Sequence, residues 1–138
     1  MSETTASHLE VLRSCFDAIA RGDASAVVEH YSHDYVLELP YADPQVPFRL
    51  EGREAVRAYL DEAFGVFRFT LTLCEQHPSG DPDLLILEYS GEGVALTSGR
   101  PYRNLYLGLW WFRGGEICRT REYYNPAAAA LALEPAED

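Results

Sequence analysis

From Phe67 onward the chain stops reading in threes and fours and starts reading in twos, and that change constrains the fold more than any other feature. Phe67 to Glu75, Leu84 to Val94, Tyr102 to Phe112 and Ile117 to Tyr124 each alternate β-branched, aromatic and aliphatic residues with polar ones. His77-Pro78-Ser79-Gly80-Asp81-Pro82 and Arg113-Gly114-Gly115 supply turn chemistry between them. Four consecutive strands joined in this way predict an antiparallel meander.

The first half is mostly helical. Ser7-His8-Leu9-Glu10 has the spacing of a capping box, and Leu9, Leu12, Phe16 and Ile19 then form one apolar stripe that Gly22 ends. Asp23 caps a shorter helix carrying Val27, Val28 and Tyr31. Tyr35 to Leu39 alternates as a strand, closed by Pro40. Tyr41 to Glu51 reads as an ordered proline-rich surface loop, and a third helix is expected from Gly52 to Phe64 with Gly65 as its stop. After Asn125-Pro126 the chain is alanine-rich and then acidic. Helices segregated from a meandering sheet predict an α+β domain: a curved antiparallel sheet wrapped around helices as a cone with an interior pocket. At 138 residues this is a single domain, with its core from about residue 8 to 131.

Composition removes several functions. Twenty-two acidic residues stand against 11 basic ones, for a formal charge of −11, which repels nucleic acid and anionic membranes. Every basic residue is arginine, so Schiff-base chemistry on a lysine is excluded. Cys15, Cys74 and Cys118 are isolated, and His30, His33 and Asp34 lack a further clustered donor, so neither a disulfide framework nor a metal is expected. No glycine-rich phosphate loop is present, and no cofactor is expected. Met1 to Leu9 is polar, and no apolar run approaches the roughly 20 residues of a membrane helix, so a cytoplasmic protein is expected.

Five stretches resemble the SnoaL-like polyketide cyclase branch of the nuclear transport factor 2-like superfamily. They are Ala20-Arg21-Gly22-Asp23, Leu39-Pro40-Tyr41-Ala42, Leu50-Glu51-Gly52-Arg53-Glu54-Ala55-Val56, Tyr102-Arg103-Asn104-Leu105-Tyr106 and Arg121-Glu122-Tyr123-Tyr124-Asn125-Pro126. The resemblance implies the cone fold, which hosts isomerases, cyclases, dehydratases and epoxide hydrolases. It also implies an apolar or aromatic small-molecule ligand. Aligned on the ketosteroid isomerases of this fold, the oxyanion-hole tyrosine falls at Cys15, the aspartate base at Leu39 and the carboxylic acid near Gly108. All three polar groups are missing, so steroid isomerisation by that machinery is excluded. The last two strands are similar to phenazine-biosynthesis A/B proteins, whose acid/base glutamate corresponds to Glu122; their assisting histidine has no counterpart, because no histidine lies between His33 and His77.

The side to which Glu122 points depends on the last hairpin. A three-residue loop pairs Phe112 with Glu116 and sets Tyr106 opposite Glu122, Asn104 opposite Tyr124 and Gly108 opposite Thr120. A two-residue Gly-Gly turn instead sets Leu107 and Leu109 beside Glu122, since a one-residue slip exchanges the faces. The family pattern favours the first. Asn104, Tyr106, Trp110, Thr120, Glu122 and Tyr124 then share the concave face. Burial there raises a carboxyl's pKa and fits Glu122 for acid/base work. Asn104 and Tyr106 are candidates to orient it or to bind a substrate carbonyl. Trp110, Tyr124, Thr120, Tyr41, Leu39, Tyr59 and Cys15 complete the candidate substrate-binding set. Glu38 should face outward, and Arg53 should pair on the helix surface or anchor the preceding loop. On the outer face Leu105, Leu107, Leu109 and Trp111, with Ile117 and Tyr123, form an apolar patch that predicts a homodimer. Two functions remain open: a cofactor-free acid/base cyclase, isomerase or lyase acting on an aromatic or polyketide-like carbonyl compound, and a binding protein in which Glu122 only accepts a hydrogen bond.

Overall fold

A computed structural model describes residues 2–136, so Glu137 and Asp138 of the acidic end lie outside the described residues. The elements in order are α1 (Glu3–Arg21), α2 (Ala24–Val28), β1 (Tyr31–Glu38), β2 (Arg49–Glu51), α3 (Arg53–Val66), β3 (Phe67–His77), β4 (Leu84–Ala95), β5 (Pro101–Arg113), β6 (Glu116–Tyr124) and α4 (Pro126–Leu133). The six strands form one curved open sheet in the order β2-β1-β6-β5-β4-β3. The meander from β3 to β6 is antiparallel as expected, whereas β1 joins β6 in parallel, pairing Leu37 with Thr120 and Glu38 with Arg121.

The helix α1 begins earlier than the capping-box spacing suggests. Ser2, not Ser7, is its cap, accepting from the Thr5 amide at 3.0 Å. The extra turn places His8 inside the helix, where it is buried, stacks on Phe112 at 3.9 Å and reaches Asp83 at 3.0 Å. Those contacts tie α1 to the strand ends of the sheet it covers. Gly22 adopts a left-handed φ of 68° and closes the helix through Ala18 and Ile19 carbonyls. Along the stripe, Leu9, Leu12, Cys15, Phe16 and Ile19 are buried against the concave side.

Other boundaries also move. β1 starts at Tyr31 rather than Tyr35, because Tyr31 pairs with Ile117 and its ring stacks on Tyr35 at 3.9 Å. Part of the proline-rich loop is a short strand, β2, antiparallel to β1. The helix α3 runs through Gly65 to Val66, burying Val56 and Phe64. The alanine-rich tail is a helix, α4, with Pro126 in its first turn and Asn125 Oδ1 accepting from the Ala127 amide. Its Pro126, Ala129, Ala130 and Leu133 line the interior of the cone.

The last hairpin follows neither predicted register. Gly114 and Gly115 form a two-residue turn with left-handed φ values of 60° and 82°, pairing Arg113 with Glu116 and Phe112 with Ile117. Between those pairs and Trp111↔Arg119 the register shifts, leaving Cys118 as an extra residue. Beyond this bulge Trp110 faces Thr120, Gly108 faces Glu122 and Tyr106 faces Tyr124. Ile117, assigned from sequence to the outer face, is fully buried in the core because it precedes the bulge.

Candidate active site

A cavity of about 370 Å³ occupies the interior between the concave sheet, α3 and α4. Its wall is aromatic and aliphatic, with side chains from β1 (Tyr31, Tyr35, Leu37), α3 (Val56, Tyr59, Phe64), β5 (Tyr102, Tyr106, Trp110) and β6 (Thr120, Glu122, Tyr124). Among the described residues on that wall there is no arginine and no histidine; its acidic groups are Glu122 and Asp43.

Glu122 is held by the middle of β6, and the surface it retains faces the cavity. Burial raises its carboxyl from 4.5 to about 7, and a hydrogen bond donated by the Tyr89 hydroxyl to Oε2 opposes that rise without cancelling it. No cation pairs with it among the described residues. Tyr89 reaches the carboxylate because the residue facing Glu122 across β5 is a glycine. A Cβ on Gly108 would lie 2.5 Å from the Tyr89 hydroxyl and 2.4 Å from Trp110 Nε1. That indole nitrogen and Thr120 Oγ1 are buried polar atoms that complete no hydrogen bond among the described residues.

The sequence assignments divide under this geometry. Glu122, Tyr106, Trp110, Thr120, Tyr124, Leu39 and Tyr59 all line the cavity. Asn104 does not, although it is buried on the same face of β5. Its Nδ2 donates to the Tyr102 hydroxyl at 3.0 Å and the Asn125 carbonyl at 2.9 Å, and its Oδ1 accepts from the Asn125 amide at 3.0 Å. With those bonds made it clamps the start of α4 rather than addressing a ligand. Tyr41 is also off the wall: it is 64% exposed and meets Tyr123 edge-on, because the loop turns outward after Leu39. Cys15 is buried behind the wall, its Sγ 3.7 Å from the Tyr31 hydroxyl and its thiol pushed up to about 12 by burial.

Four tyrosines missed from sequence matter here: Tyr31, Tyr35 and Tyr102 on the wall, and Tyr89 behind Glu122. Tyr89 sits on the odd, inward face of β4 with Leu85 and Leu87, a periodicity that marks it as core. Nothing in the pattern marks it as the partner of a carboxylate.

On the opposite face Glu38 does point away from the cavity, as expected, yet it is buried at the sheet surface under arginines. Arg119 contacts it at 2.6 Å, Arg49 at 3.3 Å and Arg121 at 3.4 Å. Burial pushes this carboxyl up, and the three guanidiniums outweigh it and hold the pKa below the usual value. Arg53 reaches the Tyr31 carbonyl at 3.5 Å, anchoring α3 to β1. Glu75, His77 and Glu88 converge on the exposed outer face, with donor atoms within 4.8 Å of one another and His77 bonded to Glu88. Among the described residues no helix is long and apolar enough to cross a membrane.

Comparison with known proteins agrees with this architecture. An uncharacterised PhzA/B-like protein of Pseudomonas aeruginosa is 32% identical over 124 residues, covering 90% of this chain and 88% of the relative. A Bacillus subtilis crystal structure, provisionally described as an isomerase, superposes with a TM-score of 0.90 at 26% identity, over 99% of this chain and all of the other. A Mycobacterium tuberculosis protein of the same fold, solved in complex with estradiol-17β-hemisuccinate, has a TM-score of 0.76 at 21% identity, covering 88% and 96% of the two chains. The SnoaL-like domain family matches residues 12–120, which is most of the chain. With its fold, its cavity and its sequence all of one kind, the chain belongs to the SnoaL-like domain family.

Proposed function

We propose that this protein is an acid/base enzyme acting on an apolar aromatic or polyketide-like carbonyl compound, with Glu122 as the proton carrier. The observation that carries the reading is a carboxyl raised to about 7 by burial, paired with no cation among the described residues, on the wall of a largely aromatic and aliphatic cavity. A group with that pKa takes up and returns a proton at neutral pH with little driving force lost in either direction. Cyclisation, isomerisation and dehydration of a carbonyl compound all begin by removing a proton from carbon beside the carbonyl. Glu122 accepts that proton and delivers it to the product, while Tyr89 fixes the orientation of Oε2. Tyr59 and Tyr124 line the same cavity, and burial foremost keeps their phenols protonated across the neutral range, so they remain donors for a substrate oxygen. The aromatic wall supplies apolar contact and keeps bulk water from the reacting carbon.

Replacing Glu122 with glutamine tests this directly. Turnover of an aromatic ketone found by thermal-shift screening should fall about 10²–10⁴-fold, the usual contribution of a positioned acid or base. An active variant removes the assignment. A binding role is the second reading, supported by the steroid ester bound to the Mycobacterium tuberculosis relative. It predicts ligand affinity without turnover in the unsubstituted protein.

The outer face supports a homodimer. Leu105 and Leu107, 74% and 39% exposed, lie in an apolar strip with Leu109 and Trp111 along β5. Arg119 and Arg121 stack on Trp111 at 4.9 and 5.4 Å and flank the strip on one side. Glu75, Glu88 and Glu92 flank it on the other, on β3 and β4. A two-fold axis along the central strands lays leucine on leucine and each arginine flank on the partner's acidic flank.

A further inference from the structure

We propose that the cavity takes an uncharged or amine-bearing aromatic ligand and rejects one carrying a carboxylate at the end that reaches Glu122. The inference rests on the reading above, in which this cavity is the ligand site, and adds the charge of what enters it.

The wall carries two carboxyls, Glu122 in the sheet and Asp43 in the loop after β1. The chain contains no lysine, and none of its 11 arginines lies on the wall. Four of them are engaged outside it: Arg49, Arg119 and Arg121 gather on Glu38 across the sheet, and Arg53 bonds the Tyr31 backbone. The other titratable groups around Glu122 are the Cys15 thiol and the phenols of Tyr35, Tyr59, Tyr89, Tyr102, Tyr106 and Tyr124. Burial foremost raises every one of them, so each stays neutral when Glu122 is ionised. The cavity therefore holds negative charge with nothing positive to balance it.

An anionic ligand entering such a site sets a second carboxylate beside the first. At about 5 Å and an effective dielectric constant of about 20, that repulsion amounts to roughly 10²-fold in affinity. An ammonium group gains attraction of similar size from Glu122, together with the faces of the tyrosine rings. A neutral hydroxyl or carbonyl falls between the two. Size adds a further limit, since a cavity of about 370 Å³ suits a compact ligand of two or three fused rings.

Three ligands that share a bicyclic skeleton make the test: 2-(1-naphthyl)ethylamine, 2-(1-naphthyl)ethanol and 1-naphthylacetate, titrated calorimetrically at pH 8, where Glu122 is mostly ionised. The amine and the alcohol should bind, with the acid at least tenfold weaker than the alcohol and about 10²-fold or more weaker than the amine. In Glu122→Gln the gap between acid and alcohol should close to within about threefold. Acid binding to the unsubstituted protein within threefold of the alcohol overturns the inference, with no variant needed. So does a gap that survives intact in Glu122→Gln. If none of the three binds the folded protein, the cavity reading itself fails and the inference with it. If instead the acid binds well while Glu122→Gln still abolishes ketone turnover, only the charge selection is lost.

Discussion

Replacing Glu122 with glutamine should make the protein more stable at alkaline pH and leave it unchanged in acid. In the folded state burial holds this carboxyl at about 7, against 4.5 when it is free in water. Below pH 4.5 it is protonated in both states and contributes no difference. Between pH 4.5 and 7 the unfolded chain ionises while the folded protein keeps its proton, so stability is lost as pH rises through that window. Above pH 7 the loss is complete. The gap corresponds to about 3 kcal/mol at 1.36 kcal/mol per tenfold, and water entering through the open cavity lowers the realised figure to about 2 kcal/mol. Glutamine keeps the side-chain volume and an oxygen that accepts from Tyr89, and it carries no charge to desolvate. Urea unfolding of both proteins at pH 8.5 and pH 4.5 measures the effect, because every other titrating group is common to both and cancels. The variant should exceed the parent by about 2 kcal/mol at pH 8.5, or about 6 °C in Tm for a chain of this size, and match it within about 0.5 kcal/mol at pH 4.5. An offset that is the same at both pH values, or a variant less stable at pH 8.5, would refute the claim that burial raises this carboxyl.

Tyr89→Phe removes the donor that Glu122 has among the described residues, so the midpoint of Glu122 ionisation, followed by isotope-edited infrared spectroscopy, should move further above 7, with a loss of about 1 kcal/mol in stability. Gly108→Ala drives a methyl group against Trp110 and the Tyr89 hydroxyl, and should cost about 1–3 kcal/mol in urea unfolding while disturbing the Tyr89–Glu122 contact. Leu105→Glu, at the most exposed point of the outer strip, should convert the proposed dimer to a 15.5 kDa monomer in light scattering without changing the far-ultraviolet circular dichroism.

Much of the architecture was legible because it is carried by period. The alternation from Phe67 onward marks the four meander strands to within a few residues, and the stripe from Leu9 to Ile19 marks the covering helix. What escaped has other causes. Ser7 and Glu10 have the spacing of a cap, but a helix start is settled by where its side chains are buried, and His8 finds Phe112 and Asp83 only in three dimensions. The strand β2 is three residues long and is stabilised by pairing with β1, which local composition does not record. Asn104 and Cys15 have the expected burial, yet their polar atoms are engaged by Asn125 and Tyr31, partners distant in sequence.

Glu122 itself illustrates how a site can be read on the correct face from an incorrect register. A side chain's face depends on whether the register shifts by an odd or an even number of residues. The turn is one residue tighter than the family pattern suggested, which alone would have turned Leu107 and Leu109 toward Glu122. Cys118 then adds one residue to β6, so the two shifts sum to an even number and the concave set is restored. Ile117 lies between turn and bulge, where only the first shift applies, and it is accordingly the one residue of the predicted outer patch that became core. The two-residue displacement that remains has a chemical consequence. It exchanges Tyr106 for Gly108 as the neighbour across from Glu122, and the space left by that glycine admits the hydroxyl of Tyr89. Alternation along the strands therefore suffices to place the carboxylate in the cavity, whereas its partner is chosen by a bulge earlier in its own strand, at Cys118, that alternation does not encode.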